Sequence, residues 1–254
     1  MAEKEPSGNR AIVLAILAVV IAVLAMKFGF QTIQVVDARY LWLSKHPELR
    51  QVPIPLPAPA AQPSSNPGVP LSEFQFKFDS PWGAAKDIHE GPGYASFEFS
   101  SGQRIIFYDP ATLLDALHAM RTESQSEYLQ ASQVFGASLF ASNFDMYQAV
   151  FSASPEQFTS FMPAQDAERL RTLLDWKMRL ATNGETGIES FEARNLRGFL
   201  LGDPSSARYV LVKAFDTQDR TYQFIFTARP DAAARPTTAE IVGILSTFRP
   251  AWLP

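Results

Sequence analysis

Residues 91–108 read GPGYASFEFSSGQRIIFY, and the fold turns on how they are read. Phe97 and Phe99 repeat at a period of two, the spacing of a strand with one buried and one wet face. After Ser101-Gly102 a further strand runs through Arg104–Tyr108. Upstream of the Gly-Pro-Gly turn, Phe74, Phe76 and Phe78 alternate with Gln75, Lys77 and Asp79, and Ser80-Pro81-Trp82 ends that run. Strands joined by turns this short pair antiparallel.

Downstream the pattern changes to helical. Asp109-Pro110 supplies an N-cap and a first-turn proline, and Leu113, Leu114, Leu117 and Met120 form a stripe. Ser142 opens a second helix with Tyr147, Val150 and Phe151 inward. Ser154-Pro155-Glu156-Gln157 reads as a capping box for a short helix to about Phe161. The longest helix runs from Ala164 to Ala181, with Leu170, Leu173, Leu174, Trp176 and Leu180 on one side, and Asn183-Gly184 stops it.

The last third returns to strands at 188–193, 197–201, 208–215 and 221–227, the final two joined as a hairpin across Asp216-Thr217-Gln218-Asp219. Thr237-Thr238-Ala239-Glu240 caps a closing helix whose Ile241, Ile244, Leu245 and Phe248 share a stripe. The expected class is α+β, with an antiparallel sheet, a central helical block and a closing C-terminal helix.

Before this domain lies AIVLAILAVVIAVLAMKFGF, residues 11–30, whose only charge is Lys27. Its uncharged part, 11–26, rises ~24 Å at ~1.5 Å per residue, and extension to Phe30 reaches the ~30 Å of a bilayer core with Lys27 snorkelling. The segment therefore predicts a single transmembrane helix of the signal-anchor kind, with the lipid bilayer as partner. A cleaved secretory signal is the rival, since Val23-Leu24-Ala25 imitates a cleavage site, but no polar stretch precedes Ala25. Lys4 and Arg10 before the span balance against Lys27, Arg39, Lys45 and Arg50 after it, so flanking charge does not set the orientation. The usual signal-anchor arrangement places the domain outside the cytoplasm of a bacterial-type inner membrane.

The expected divisions are a tail at 1–10, the anchor at 11–30, a juxtamembrane helical extension at 31–50, a proline-rich linker at 51–71 and the α+β domain at 72–254. Residues 51–70 hold seven prolines and no charge. That composition favours an extended polyproline spacer at ~3.1 Å per residue.

Twenty phenylalanines among 254 residues supply a core. The formal net charge of −4 offers no basic footprint for nucleic acid. The absence of cysteine excludes disulfides, thiolate nucleophiles and Cys-based zinc or iron–sulfur sites.

FKFDSPW at 76–82 and EIVGILSTFRP at 240–250, the latter preceded by a hairpin, resemble the PsbP/Mog1-like α/β/α sandwich family. The resemblance covers about the first 35 and last 60 residues of the domain. It implies a protein-binding or assembly module, and it carries over no catalytic residue.

No catalytic, cofactor-binding or metal-ligating residue is assigned. His46, His89 and His118 lack metal spacing; His89, in a loop beside Asp87 and Glu90, is the nearest approach to a general base. Gly91-Pro92-Gly93 lacks the further glycine and lysine of a phosphate loop and reads as a turn. Arg194, Arg197, Arg208, Arg220 and Arg229 fall in the C-terminal sheet, where 208, 220 and 229 would bind an anion only if they met on one face. The expected function is a membrane-anchored protein- or ligand-binding module. Its alternative is a metal-independent hydrolase or transferase using carboxylates of the helical block, such as Asp115 or Asp145.

Overall fold

Alternating phenylalanines can be buried only if their strands share one face, and pairing the strands brings this about. The computed structural model describes residues 16–24, 26, 46–58, 76–108, 135, 142–159, 162–180, 187–205, 208–232 and 234–250. Among the described residues there are ten strands: β1 (Ile54–Pro55), β2 (Phe76–Lys77), β3 (Ala85–Gly91), β4 (Tyr94–Phe99), β5 (Gln103–Tyr108), β6 (Ile188–Glu192), β7 (Leu196–Leu201), β8 (Tyr209–Asp216), β9 (Thr221–Ala228) and β10 (Arg249–Pro250). Eight of them form one sheet in the order β1-β6-β7-β8-β9-β5-β4-β3, while β2 and β10 pair separately. Packed against the sheet are the helices α1 (Asn143–Ser152), α2 (Ala164–Leu180) and α3 (Thr238–Thr247), with 3-10 turns at Pro47–Arg50 and Pro155–Gln157.

The two meanders join where β5 meets β9, Ile105 opposite Phe226 and Phe107 opposite Phe224. On that face Phe97, Phe99, Ile105, Phe107, Phe224 and Phe226 bury against Ile241, Ile244 and Leu245 of α3 and the adjoining Phe248. The Phe248 ring stands at 90° to that of Phe224, centroids 5.3 Å apart. Each such ring contributes ~1.5–3 kcal/mol on burial, which makes this the larger core. Trp82 Nε1 donates to Glu240 Oε1 at 3.0 Å, fixing the start of α3 against the β2–β3 loop.

On the opposite face Ile188, Phe199 and Phe215 pack under Met146, Tyr147, Val150 and Phe151 of α1 and Trp176 of α2. The sheet is thus flanked on both faces, by α3 across its β4, β5, β9 and β8 strands on one and by α1 and α2 over β6–β8 on the other. The capping boxes at Ser154–Gln157 and Thr237–Glu240 close as their sequences predict. The first of them caps only a turn of 3-10 helix.

The sheet is mixed, and this corrects the antiparallel expectation. β1 runs parallel to β6, with Ile54 opposite Glu189 and Pro55 opposite Ser190. Residues 51–58, read as the start of a free spacer, instead border the sheet. Prolines lack an N–H and are tolerated on an edge; between them Leu56 N donates to Ser190 O at 2.8 Å.

Lys177 holds this border in place. Its side chain is 0% exposed, and its amine donates to Leu49 O at 3.2 Å, Phe151 O at 2.9 Å, Ala153 O at 2.6 Å and Gln51 O. Those carbonyls come from the ends of the Pro47–Arg50 turn and of α1, where backbone acceptors lack helical partners and the helix dipole is negative. Leu49 fills the space below, with Ala153, Phe158, Leu170 and Leu174.

The anchor expected over 11–30 is also corrected: among the described residues no helix is long and apolar enough to cross a membrane. Residues 16–24 and 26 are helical and exposed. The expected bilayer contact rested on that span. Residues 11–15, 25, 27–45, 59–75 and 109–134 lie outside the described residues, and with them most of the extension, the rest of the spacer, the Asp109–Met120 helix, Asp115 and His118.

The β8–β9 hairpin reaches across to α1. Buried Asp216 accepts from Gln218 N at 2.8 Å, Arg220 N at 3.0 Å, Arg220 Nε at 2.8 Å and Tyr222 Oη at 2.9 Å, which shapes the turn. Asp219, at φ 60°, then projects its carboxylate onto the start of α1. It accepts from Ser142 Oγ at 3.1 Å, Phe144 N at 3.0 Å and Asn143 N. The helix has a local cap in Ser142 and a second cap from 75 residues away in sequence. Asp219→Ala is expected to lower stability by about 1–2 kcal/mol in denaturant unfolding. A loss below ~0.3 kcal/mol would show that Ser142 alone suffices.

Candidate functional site: an open sheet edge and the polar face beside it

β3 is formed by its neighbour more than by its own sequence. AKDIHEG has no apolar alternation, yet Pro92-Gly93 makes a two-residue turn, with Gly93 at φ 78°, and lays 85–91 along β4. The pairing sets Asp87 opposite Glu98, Ile88 opposite Phe97, His89 opposite Ser96 and Glu90 opposite Ala95. A register shift between Ala85 and Asp87 marks a bulge at Lys86.

The consequence, among the described residues, is an open edge. β3 takes the last place in the sheet order, and five of its seven residues are exposed. Ile88 is 40% exposed, and Tyr94, across the turn, is 41% exposed. A Cβ on Gly91 would lie 2.4 Å from Tyr94 Cε1, so the Tyr94 ring folds over the bare glycine. Ile88 and Tyr94 are the large apolar residues that the sheet leaves in water at this end.

His89 belongs to this strand and not to a loop, as the sequence reading had it. It is exposed, and Asp87 shares its face two residues away. Lys86, Asp87, His89 and Glu90 enter none of the ion pairs among the described residues.

Beside the edge, β4, β5, β9 and β8 present a polar face in rows set by register. One row runs Tyr94, Tyr108, Gln223, Lys213, and the Tyr94 and Tyr108 rings lie 6.4 Å apart. The Lys213 amine donates to Gln223 Oε1, and burial draws its pKa down to about 8. Arg104 Nε donates to Ser96 Oγ at 2.9 Å, and Arg229 pairs with Glu98 at 3.0 Å. These groups are engaged with one another, and the described part of the face contains no nucleophile held by a base.

The remaining candidates disperse. Arg220 is held by Asp216 at one end of β9 and Arg229 by Glu98 at the other; eight strand residues at ~3.4 Å each keep them apart. Arg208 is exposed beside the Arg229 end, Arg194 is exposed after β6, and the Arg197 guanidinium lies 3.9 Å over the Phe144 ring. The arginines therefore make no common anion site. His46 Nδ1 sits 2.9 Å from Glu48 Oε1 ahead of the first turn.

Of the carboxylates, Asp145 is exposed in the first turn of α1. Two others are raised above the usual carboxylate range. Burial raises Glu189 and the Asp203 charge adds to it, while a hydrogen bond with Thr238 opposes them. Burial likewise raises Asp175 against Arg179 and Arg171. They stand on different elements, β6 and α2, and among the described residues no group of three metal-binding side chains is assembled.

Sequence reasoning missed β3 because it looked for apolar alternation. The signal that identifies it is the turn: Gly91-Pro92-Gly93 must be preceded by a partner for β4. No family model matches the chain, and neither the curated proteins nor the solved structures contain a match.

Proposed function

We propose that this chain is a partner-binding module, not an enzyme, and that it docks its partner along the β3 edge. The observation that carries the proposal is a seven-residue edge strand exposed along nearly its whole length, with Ile88 in water at its middle. Unpaired edge N–H and C=O groups are a template for an added strand, which gains main-chain hydrogen bonds while side-chain contacts such as Ile88 select the partner. The polar face next to it supports the same reading, because its charged groups already have partners and rigidify the surface instead of presenting reactive atoms. The resemblance to the PsbP/Mog1-like family implies a binding module too.

A photo-crosslinking amino acid placed at Ile88 tests the proposal in cells producing the whole chain. A discrete covalent adduct is expected on irradiation at Ile88 and not at Arg169, which is also solvent-facing but lies on α2. Equal or absent yields at the two positions would defeat the edge as a docking element.

A further inference from the structure

Resting on that docking reading, we propose that the occupant of the β3 edge is a second copy of the same chain, paired antiparallel with Ile88 against Ile88. Charge register selects this pairing. The strand reads Lys86-Asp87-Ile88-His89-Glu90, and a two-fold axis through Ile88 sets Lys86 against Glu90 of the second copy and Asp87 against its His89. Both relations occur twice, as an isologous interface requires.

Other registers fail. Sliding by one residue either way sets Asp87 against Glu90 of the second copy or Lys86 against its His89. Sliding by two sets Asp87 against Asp87, or His89 against His89 with Ile88 facing Glu90. One register alone sets the Lys86 ammonium against the Glu90 carboxylate, gives the Asp87 carboxylate the His89 ring as a hydrogen-bond partner and places the apolar residue against itself; like charges directly opposite are unfavourable on a sheet.

The flanks limit the contact. Lys86, the bulged residue with no partner on β4, is the last position at one end, and the Pro92-Gly93 turn closes the other, so the pairing runs over about five residues, Lys86 to Glu90, and stays reversible. A long, flat apolar edge would propagate into aggregates, and bulges and charges are the devices that stop this. Asp87 and His89 lie on the face of Glu98 and Ser96, and Ile88 and Glu90 on the face of Phe97 and Ala95. The Asp87–His89 contacts thus form on one face and the Ile88 contact on the other.

The test is sedimentation velocity on the whole chain over a concentration series, with Lys86→Glu, Glu90→Lys, their equimolar mixture and the double variant. Wild type is expected to form a reversible dimer. Each single variant sets like charges opposite one another twice and is expected to weaken the dimer about tenfold or more. The mixture and the double variant restore opposite charges and are expected to recover it. A wild-type monomer throughout, or a dimer that ignores these variants, overturns the inference; the second outcome would place association elsewhere, such as the exposed apolar residues 16–24.

The Ile88 crosslink separates this inference from the reading beneath it. An adduct of twice the chain mass is expected. An adduct of another mass keeps the edge as a docking element and overturns self-pairing, and no adduct ends both.

Discussion

Lys177→Met is expected to lower the stability of the folded domain by about 3 kcal/mol or more and to release residues 46–58 from the sheet. The amine offers three donors to four carbonyls, all within the protein interior or its border. Methionine fills the channel but donates nothing. The carbonyls of Leu49, Gln51, Phe151 and Ala153 then lose a charged donor, and a buried acceptor left alone costs ~1–3 kcal/mol. Denaturant unfolding measures the loss, and hydrogen exchange over 46–58 shows where it falls. Faster exchange there, with β8 and β9 unchanged, is the expected pattern. A loss under ~1 kcal/mol with unaltered exchange would mean that the apolar contacts of Leu49 hold the segment by themselves.

The same residue sets a pH dependence. Burial draws the Lys177 pKa down to about 8 from its ordinary 10.5. Between those two values the unfolded chain binds more protons than the folded one, so this group's contribution to stability rises with pH across the window and is flat below it. Lys213 titrates in the same range, so wild type alone cannot isolate the effect. The stability difference between wild type and Lys177→Met does, because Lys213 is common to both. That difference is expected to move in favour of lysine from pH 8 to 10.5. No drift would show that the four carbonyls hold the ammonium at its ordinary value.

Gly198→Ala is expected to be the most damaging single-methyl change in the sheet. A Cβ there would stand 2.0 Å from the Lys213 carbonyl oxygen and 2.9 Å from Ala214 Cα, both backbone atoms of the adjacent strand. A side chain can rotate away from a new methyl group, whereas a ladder partner can move only by breaking the ladder. Gly198 faces Ala214 on one side and Phe191 on the other, in the middle of β6-β7-β8. The expected cost is about 3 kcal/mol, the upper part of the overpacking range, which for a domain of this size lowers Tm by roughly 6–12 °C. Calorimetry reads it directly. A shift of less than ~2 °C would mean that β7 and β8 separate without penalty.

Much of the element order was legible because it is written in short-range chemistry. The capping box at Thr237–Glu240, the Ser142 N-cap and the alternation of Tyr222, Phe224 and Phe226 each depend on residues within four positions of one another. The strand β3 was not legible from its own residues, since Lys86-Asp87-Ile88-His89-Glu90 matches a solvated loop as well as an edge. Nor was the role of residues 51–58, because a proline-rich composition suits a free spacer and an edge strand equally. With these went the candidate site. Asp216 and Asp219 read simply as turn residues; that one shapes the hairpin and the other caps α1 depends on strand placement 75 residues away.

By itself the sequence determined that phenylalanine-rich strands, a helical block and a closing helix would make an α+β fold, because burial periodicity and caps are local properties of the chain. Only the tertiary structure decided that the sheet is mixed, that Lys177 ties a proline-rich border to it and that, among the described strands, β3 takes the outermost place. Each of these rests on which backbone groups find partners across long sequence separation, and unpaired N–H and C=O groups are the same at every position until the strands are placed.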